Sequence, residues 1–253
     1  MKYYLENLNT VAIIPARLQS SRLPGKVLLD ICGIPMIVHV YKRCKLSRLL
    51  DRVFVATDSY EIRQVVEDHG GKVIMTSSNH ETGTDRVAEA ANNIDADIIV
   101  NVQGDEALVN PTHIDIVTNT LIKDKKVSVA ILVNKFSKRN SPSDIKVVLD
   151  EQKNVMYFSR SDIPSDSRTK NAPLLKAYHI LPFRKDFLLK YSKWDKGNLE
   201  KIEYNEYLRI LEKGYKIRAV CVESHAISVD TKNDLNFVKK IMKSDPFFNK
   251  YSI

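Results

Sequence analysis

The sequence predicts an α/β protein with a Rossmann-like, mostly parallel, doubly wound sheet and an antiparallel sub-domain. Three observations carry that prediction. The chain has 253 residues and is 43% apolar, which is long for one domain, short for two, and enough for a sizeable core. Its first half alternates short β-rich apolar runs with amphipathic segments. Beyond residue 127 the apolar runs follow one another across polar turns, without helical spacing between them.

In order, the apolar run "VAIIP" predicts a strand over 11–15, and amphipathic spacing predicts a helix over 36–45. The alternation continues with a strand over 52–56, a helix over 59–69, a strand over 72–75 and a helix over 84–94. A strand over 97–102 and a helix over 112–124 complete it. Such an alternation folds as a parallel sheet that binds ligands beyond the carboxyl ends of its strands. Successive strands are then expected over 127–133, 145–149 and 155–158, with exposed loops at 137–144 and 165–173, where Ser, Asn, Pro and charge collect. A helix over 200–213 stopped by Gly214, a returning strand over 217–222 and a last helix over 232–243 close the chain. The expected organisation is one domain, with a nucleotide-binding core formed by 1–126 and 215–253 and a sub-domain formed by 127–214.

Lys and Arg number 39 against 31 acidic residues, a net charge of +8. That balance favours anionic partners. The basic residues are dispersed and no aromatic stacking motif accompanies them, so no nucleic acid is expected. No apolar run reaches about 18 residues, and residues 1–10 lack an apolar leader segment, so a soluble, cytoplasmic protein without a membrane partner is expected. Cys32, Cys44 and Cys221 never form a C-x-x-C pair; they read as small buried apolar residues rather than a disulfide, a zinc site or nucleophiles.

Chemistry concentrates in four stretches. "IIPARLQSSRLPGKVL" sends a strand into a loop carrying Arg17, Arg22 and Lys26, shaped by Pro24 and Gly25. It matches neither common glycine-rich phosphate fingerprint, so its cations must do the binding, forked from Arg and compact from Lys. "IIVNVQGDEALV" ends a strand in Gly104, Asp105 and Glu106, carboxylates at the ligand edge where a hard cation could bridge to phosphates. "ISVDTKNDL" places Asp230 after another apolar run, with Thr231 or Asn233 as a helix cap. "SNHETGTDRVAEA" combines Gly83 with Thr82, Thr84 and Arg86; Thr84 is a plausible cap, and His80 has no partner at metal-ligand spacing. The absence of G-x-S-x-G leaves Ser/His/Asp hydrolysis without support.

Together with "GIPMIVHV", "VATD", "IKVVLD" and "MYFSR", these stretches stand in the order and approximate spacing of 3-deoxy-manno-octulosonate (Kdo) cytidylyltransferases, and the chain resembles that family over nearly its whole length. The resemblance implies a nucleotide-diphosphosugar-transferase fold, a homodimer built through the antiparallel sub-domain, and a place in lipopolysaccharide or capsule synthesis. It also implies a Mg²⁺-dependent attack by a sugar-acid hydroxyl on the α-phosphate of CTP. By position, Arg17, Arg22 and Lys26 correspond to the triphosphate clamp and catalytic cations. Ala16, Asp58, Thr82, Gly83, Thr84, Arg86 and Gln103 correspond to nucleotide contacts, and Asp105 and Asp230 to the catalytic metal ligands. Gln103, Arg160, Glu206 and Tyr207 fall at acceptor positions.

The acceptor half departs from the family pattern. A His and a Tyr of that pattern fall at Ala177 and Leu181, His179 is two residues out of register, a Gln is replaced by Tyr207, and a Pro by Ala107. Sites built around polar groups discriminate strongly by them. The expectation is therefore CMP transfer to an anionic, Kdo-like sugar acid. The alternatives are an amino-sugar acid or phosphonate as acceptor, or a catalytically silent nucleotide-binding relative.

Overall fold

The computed structural model describes residues 8–20, 22–224 and 227–252. Residues 1–7 of the segment read for a leader, and Ser21 of the basic loop, lie outside the described residues. The chain divides into two compact units, one formed by Met1–Asp115 with Ala226–Ile253, the other by Ile116–His225.

The first unit opens with β1 (Thr10–Ala16), buried throughout, then the short antiparallel pair β2 (Asp30–Ile31) and β3 (Ile34–Pro35) and helix α1 (Met36–Cys44). β4 (Arg52–Thr57), α2 (Tyr60–Asp68), β5 (Val73–Met75), α3 (Gly83–Ala91) and β6 (Ile98–Val102) follow. The strands lie in the order β6-β1-β4-β5, and every pairing among them is parallel. Parallel pairing needs a crossover between strands, which α1, α2 and α3 provide, and it points the carboxyl ends of β1, β4 and β6 the same way. Ser59 caps α2 by accepting from the Ile62 amide. Thr82, not Thr84, caps α3, by accepting from the Asp85 amide.

Helix α4 (Pro111–Lys123) carries the chain onward, its proline at the first helical position, where no amide donor is needed. The second unit holds β7 (Ala130–Phe136), β8 (Lys146–Leu149), β9 (Val155–Ser159), β10 (Leu174–Tyr178), β11 (Ile180–Arg184), α5 (Lys185–Tyr191), α6 (Asn198–Glu203), α7 (Leu208–Glu212) and β12 (Arg218–Val222). Its sheet runs β12-β7-β10-β8-β9. The β7, β10, β8 and β9 pairings are antiparallel, as expected, but β12 joins β7 in parallel, so the sheet is mixed. That geometry is open to β12 because three helices intervene before it. The strands and helix over 174–191 were not anticipated. The loop over 137–144 is pinned rather than free: the wholly buried Lys146 donates to the carbonyls of Ser141, at 2.7 Å, and Asp144, at 2.8 Å.

The single helix expected over 200–213 is two helices, broken at Tyr204 with φ 50° and ψ 46°. The buried Arg209 donates to both oxygens of the buried Glu200, at 2.7 and 2.6 Å. An unbroken helix would hold these residues about 13 Å apart along its axis, so the pair requires the break. The cysteines are all free, but only Cys44 is buried, where burial pushes its thiol up; Cys32 is half-buried and Cys221 exposed. Among the described residues, no helix is long and apolar enough to cross a membrane.

The chain returns to the first unit with α8 (Lys232–Met242), capped reciprocally by Thr231 and Asp234. Its apolar face, Leu235, Val238 and Met242, packs with Ile31, Met36, Ala107 and Val229. Beyond it, the buried Arg43 pairs with Asp245 at 2.6 Å and lies over the rings of Phe247 and Tyr251. Arg43 also donates to the Tyr251 hydroxyl at 3.1 Å, which stands 2.8 Å from His39 Nδ1. Because His39 Nε2 faces the Ile31 carbonyl at 2.7 Å, Nε2 carries the proton and Nδ1 accepts from Tyr251.

Burial, reinforced by the Arg43 charge and partly offset by the Ile31 bond, holds the His39 pKa down to about 4. The unfolded chain takes up this proton near its ordinary value of about 6.5, well before the folded protein does. Stability from His39 is therefore complete above about pH 6.5 and is lost as pH falls toward 4, by about 3 kcal/mol in all. Urea unfolding at about pH 7 and about pH 5 should show the wild type losing about 2 kcal/mol more than His39→Asn. Equal losses would contradict this account of His39.

Candidate active site

The site grows from the carboxyl end of β1. After Ala16 the chain turns through the basic loop, and the Gly25 amide bonds back to the Leu18 carbonyl at 3.0 Å. Gly25 stands at φ +64°, a conformation that favours glycine, and it starts the short turn that presents Lys26. Lys26 Nζ donates to Asp105 Oδ2 at 2.6 Å, Asp230 Oδ1 at 3.0 Å and the Val229 carbonyl at 3.2 Å. Arg22 reaches the same Asp230 oxygen at 2.9 Å. Burial works to lower the Lys26 pKa, but Asp105 and Asp230 outweigh it, and the ammonium is held above its ordinary value.

The end of β6 supplies the opposite wall. Gly104 permits a close approach there: a Cβ on it would stand 2.8 Å from the Pro15 carbonyl oxygen. Asp105 follows directly, and its own carbonyl accepts from the Val229 amide at 3.1 Å. That backbone bond brings Asp230 beside Asp105 although the two are distant in sequence. Glu106, the second carboxylate of the motif, is buried and bonds the Ser228 hydroxyl, a structural role.

The amino end of α3 forms the third side. Gly83 packs so closely that a Cβ would meet Gln103 Oε1 at 3.1 Å and Pro15 Cγ at 3.2 Å. Gln103 donates to Asn101 at 2.9 Å, and Asn101 donates to Thr84 at 3.0 Å. Thr84 is fully buried, so it supports this wall from behind. Arg86 is almost fully buried between Asp58, at 3.1 Å, and the Thr76 hydroxyl, at 2.7 Å. His80, at the rim, pairs with Glu89.

These walls border an open cleft of about 220 Å³ lined by Ala16, Arg17, Arg22, Lys26, Thr82, Gly83, Arg86, Gln103, Asp105 and Asp230. A second open hollow shares Arg17 and Arg86 and includes Asp58. All but Thr84 of the residues expected to touch nucleotide or metal thus line one or the other. Sequence reasoning missed the Val229 carbonyl and the Thr76 hydroxyl, since a carbonyl has no sequence signal and a lone hydroxyl after β5 does not announce a partner.

The remaining acceptor candidates belong to the second unit. Arg160 donates to the backbone carbonyls of Glu203, Pro142 and Tyr204 at 2.7, 2.8 and 3.0 Å. The buried Tyr207 packs on Phe158 and stacks on His179, with ring centroids 6.1 Å apart. Ala177 and Leu181 are fully buried, and Glu206 precedes Tyr207 just before α7.

Asp105 Oδ2 and Asp230 Oδ1 converge on one nitrogen, with a carbonyl oxygen beside them, a set of hard oxygen donors. Among the described residues, no group of three or more His, Cys, Asp or Glu could hold a metal. Two carboxylates suit a small divalent ion that completes its shell with phosphates and water, as Mg²⁺ does.

A parallel sheet whose strand ends bear forked cations and paired carboxylates defines a nucleotidyltransferase type of site. Residues 11–217 match the family described as Cytidylyltransferase. The chain is 43% identical over 250 residues to the 3-deoxy-manno-octulosonate cytidylyltransferase of Geobacter sulfurreducens, covering 93% of this chain and 100% of that protein. It is 42% identical to the enzyme of the same description from Syntrophus aciditrophicus, covering 92% and 96%. A CMP:2-keto-3-deoxy-manno-octonic acid synthetase solved in complex with CTP superposes with a TM-score of 0.89 at 39% identity, covering 93% and 99%. A 4-diphosphocytidyl-2C-methyl-D-erythritol synthase from Anaerococcus prevotii shares the fold alone, with a TM-score of 0.61 at 11% identity, covering 96% and 100%. The chain belongs to the 3-deoxy-manno-octulosonate cytidylyltransferase family, with the α/β nucleotide-diphospho-sugar transferase fold that its sequence predicts.

Gly104→Ala tests how the wall is set. Its Cβ would collide with backbone, so the variant should lose about 1–3 kcal/mol in urea unfolding and displace Asp105. Unchanged stability would contradict the close approach described here.

Proposed function

We propose that this protein transfers CMP from CTP to 3-deoxy-manno-octulosonate, releasing pyrophosphate. The observation that carries the reading is the convergence of Arg22 and Lys26 with Asp105 and Asp230 in one cleft at the strand ends. In the reaction the acceptor's anomeric oxygen forms a bond to the α-phosphorus while the bond from that phosphorus to the bridging oxygen breaks. Pyrophosphate departs with the electron pair, and the hydroxyl proton is lost to solvent.

Arg17, Arg22 and Lys26 face the β- and γ-phosphates, where negative charge grows as the leaving group departs, and fixed cations are most effective there. Asp105 and Asp230 would hold Mg²⁺, which when bound would supply positive charge against the phosphates. Ala16, Thr82, Gly83, Arg86 and Gln103 shape the nucleotide pocket. Asp58 acts through Arg86 and Thr84 through Asn101, as their bonds indicate.

In this reading the first unit binds nucleotide and metal, and the second carries the acceptor candidates, with Tyr207 acting through its packing beside Glu206. Arg160 orders the loops around Glu203 by holding their carbonyls. The homodimer and the cytoplasmic setting belong to the same reading. Exposed Met156, Ile202 and Tyr204 in the second unit supply apolar surface for a dimer, and sedimentation should return the mass of two chains.

Asp105→Asn and Asp230→Asn each remove charge but little volume, so each should lower kcat by about 10²-fold or more with the fold kept, as read by circular dichroism. Near-normal turnover in either would refute the ligand assignment. Pyrophosphate release with CTP and Mg²⁺ across sugar acids, amino-sugar acids and phosphonates tests the acceptor. Kdo should give the highest kcat/KM; a better amino-sugar acid or phosphonate, or no turnover at all, would overturn this reading.

A further inference from the structure

We propose that Lys26 keeps the divalent-cation position closed until a triphosphate arrives, so that the metal enters this enzyme only together with its nucleotide. The proposal rests on the reading of Asp105 and Asp230 as metal ligands. Lys26 Nζ directs donors at Asp105 Oδ2, Asp230 Oδ1 and the Val229 carbonyl, 2.6, 3.0 and 3.2 Å away, as many partners as an ammonium has protons. Its side chain is only 15% exposed, so water screens the contact little. Arg22 adds a second cation to Asp230 at 2.9 Å. The two carboxylates are therefore balanced by the protein's own cations.

A dication bridging Asp105 and Asp230 would stand about where Nζ stands. Two like charges at about 3–4 Å repel strongly in a partly buried site, so one must yield. Asp105 is anchored by the bond from the Val229 amide to its carbonyl, and Asp230 by its own amide bonding Asp234 at 3.1 Å. Lys26 is the movable partner, an ammonium on a flexible four-carbon stem. A triphosphate offers it more negative charge than the carboxylates it would leave. Once Lys26 and Arg22 turn to phosphate, Asp105 and Asp230 are free to accept the metal. By linkage, each ligand then raises the affinity of the other by the same factor.

Equilibrium dialysis with Mn²⁺, read by electron paramagnetic resonance, tests this on the full chain. Without nucleotide, Lys26→Met should retain Mn²⁺ at least about tenfold more tightly than wild type. Mg²⁺ should raise the melting temperature of Lys26→Met and barely move that of wild type, and adding Asp105→Asn to Lys26→Met should abolish both gains. CTP should raise Mn²⁺ retention by the wild type at least about tenfold, a comparison that needs no variant. Nucleotide-free wild type that holds Mn²⁺ as tightly as Lys26→Met, or as tightly as with CTP, would overturn the proposal while leaving the ligand assignment in place. Failure of every form to retain Mn²⁺, with CTP or without, would overturn the ligand assignment and the proposal together.

Discussion

One ammonium organises the cleft. Lys26 reaches carboxylates 79 and 204 residues further along the chain, and those bonds fasten the loop after β1 to the turn after β6 and to the segment before α8. Asp105 and Asp230 lie outside any helix or strand, and Lys26 only opens a three-residue 3-10 turn. Their meeting depends on parallel strands that deliver β1 and β6 to the same edge, and on Gly104, whose lack of a side chain lets that edge close against Pro15. The cleft is therefore an electrostatic construction on a rigid apolar support: β1 and β6 are buried at every position.

That support was legible because burial on both faces leaves a plain signal. Apolar runs such as "VAIIP" and "IIVNV", separated by amphipathic spacing, specify parallel strands with covering helices, and the structure follows. The second unit was harder to read for physical reasons. β10 and β11 are five residues each with only His179 between them, too short and too closely joined for periodicity to separate. The break between α6 and α7 is set by the Glu200–Arg209 pair, a tertiary contact that overrides helical propensity along a stretch rich in helix formers.

The site divides in the same way. Arg17, Arg22, Lys26, Asp105 and Asp230 stand out in the sequence because charge that directly follows an apolar strand has few structural uses. Their partnership was not legible, since it rests on a backbone bond between Val229 and Asp105. Thr82 takes the cap expected at Thr84: the cap lies one residue before the helix begins, and the helix starts at Gly83, one residue ahead of the expected start. In the second unit, Arg160 bonds carbonyls and Tyr207 stacks on His179, contacts that no linear motif encodes. Ala177, Leu181 and Tyr207 are all buried, so what surrounds them is set by packing that a linear pattern does not show.

The claim on which everything else turns is that Asp105, Asp230, Arg22 and Lys26 form a single triphosphate and metal site. A crystal structure with CTP and Mn²⁺, with the ion placed by its anomalous signal, tests it most directly. The account predicts manganese bound by both Asp105 and Asp230, and the β- and γ-phosphates on Arg22 and Lys26. Manganese held elsewhere, or a triphosphate lying away from these side chains, would contradict it.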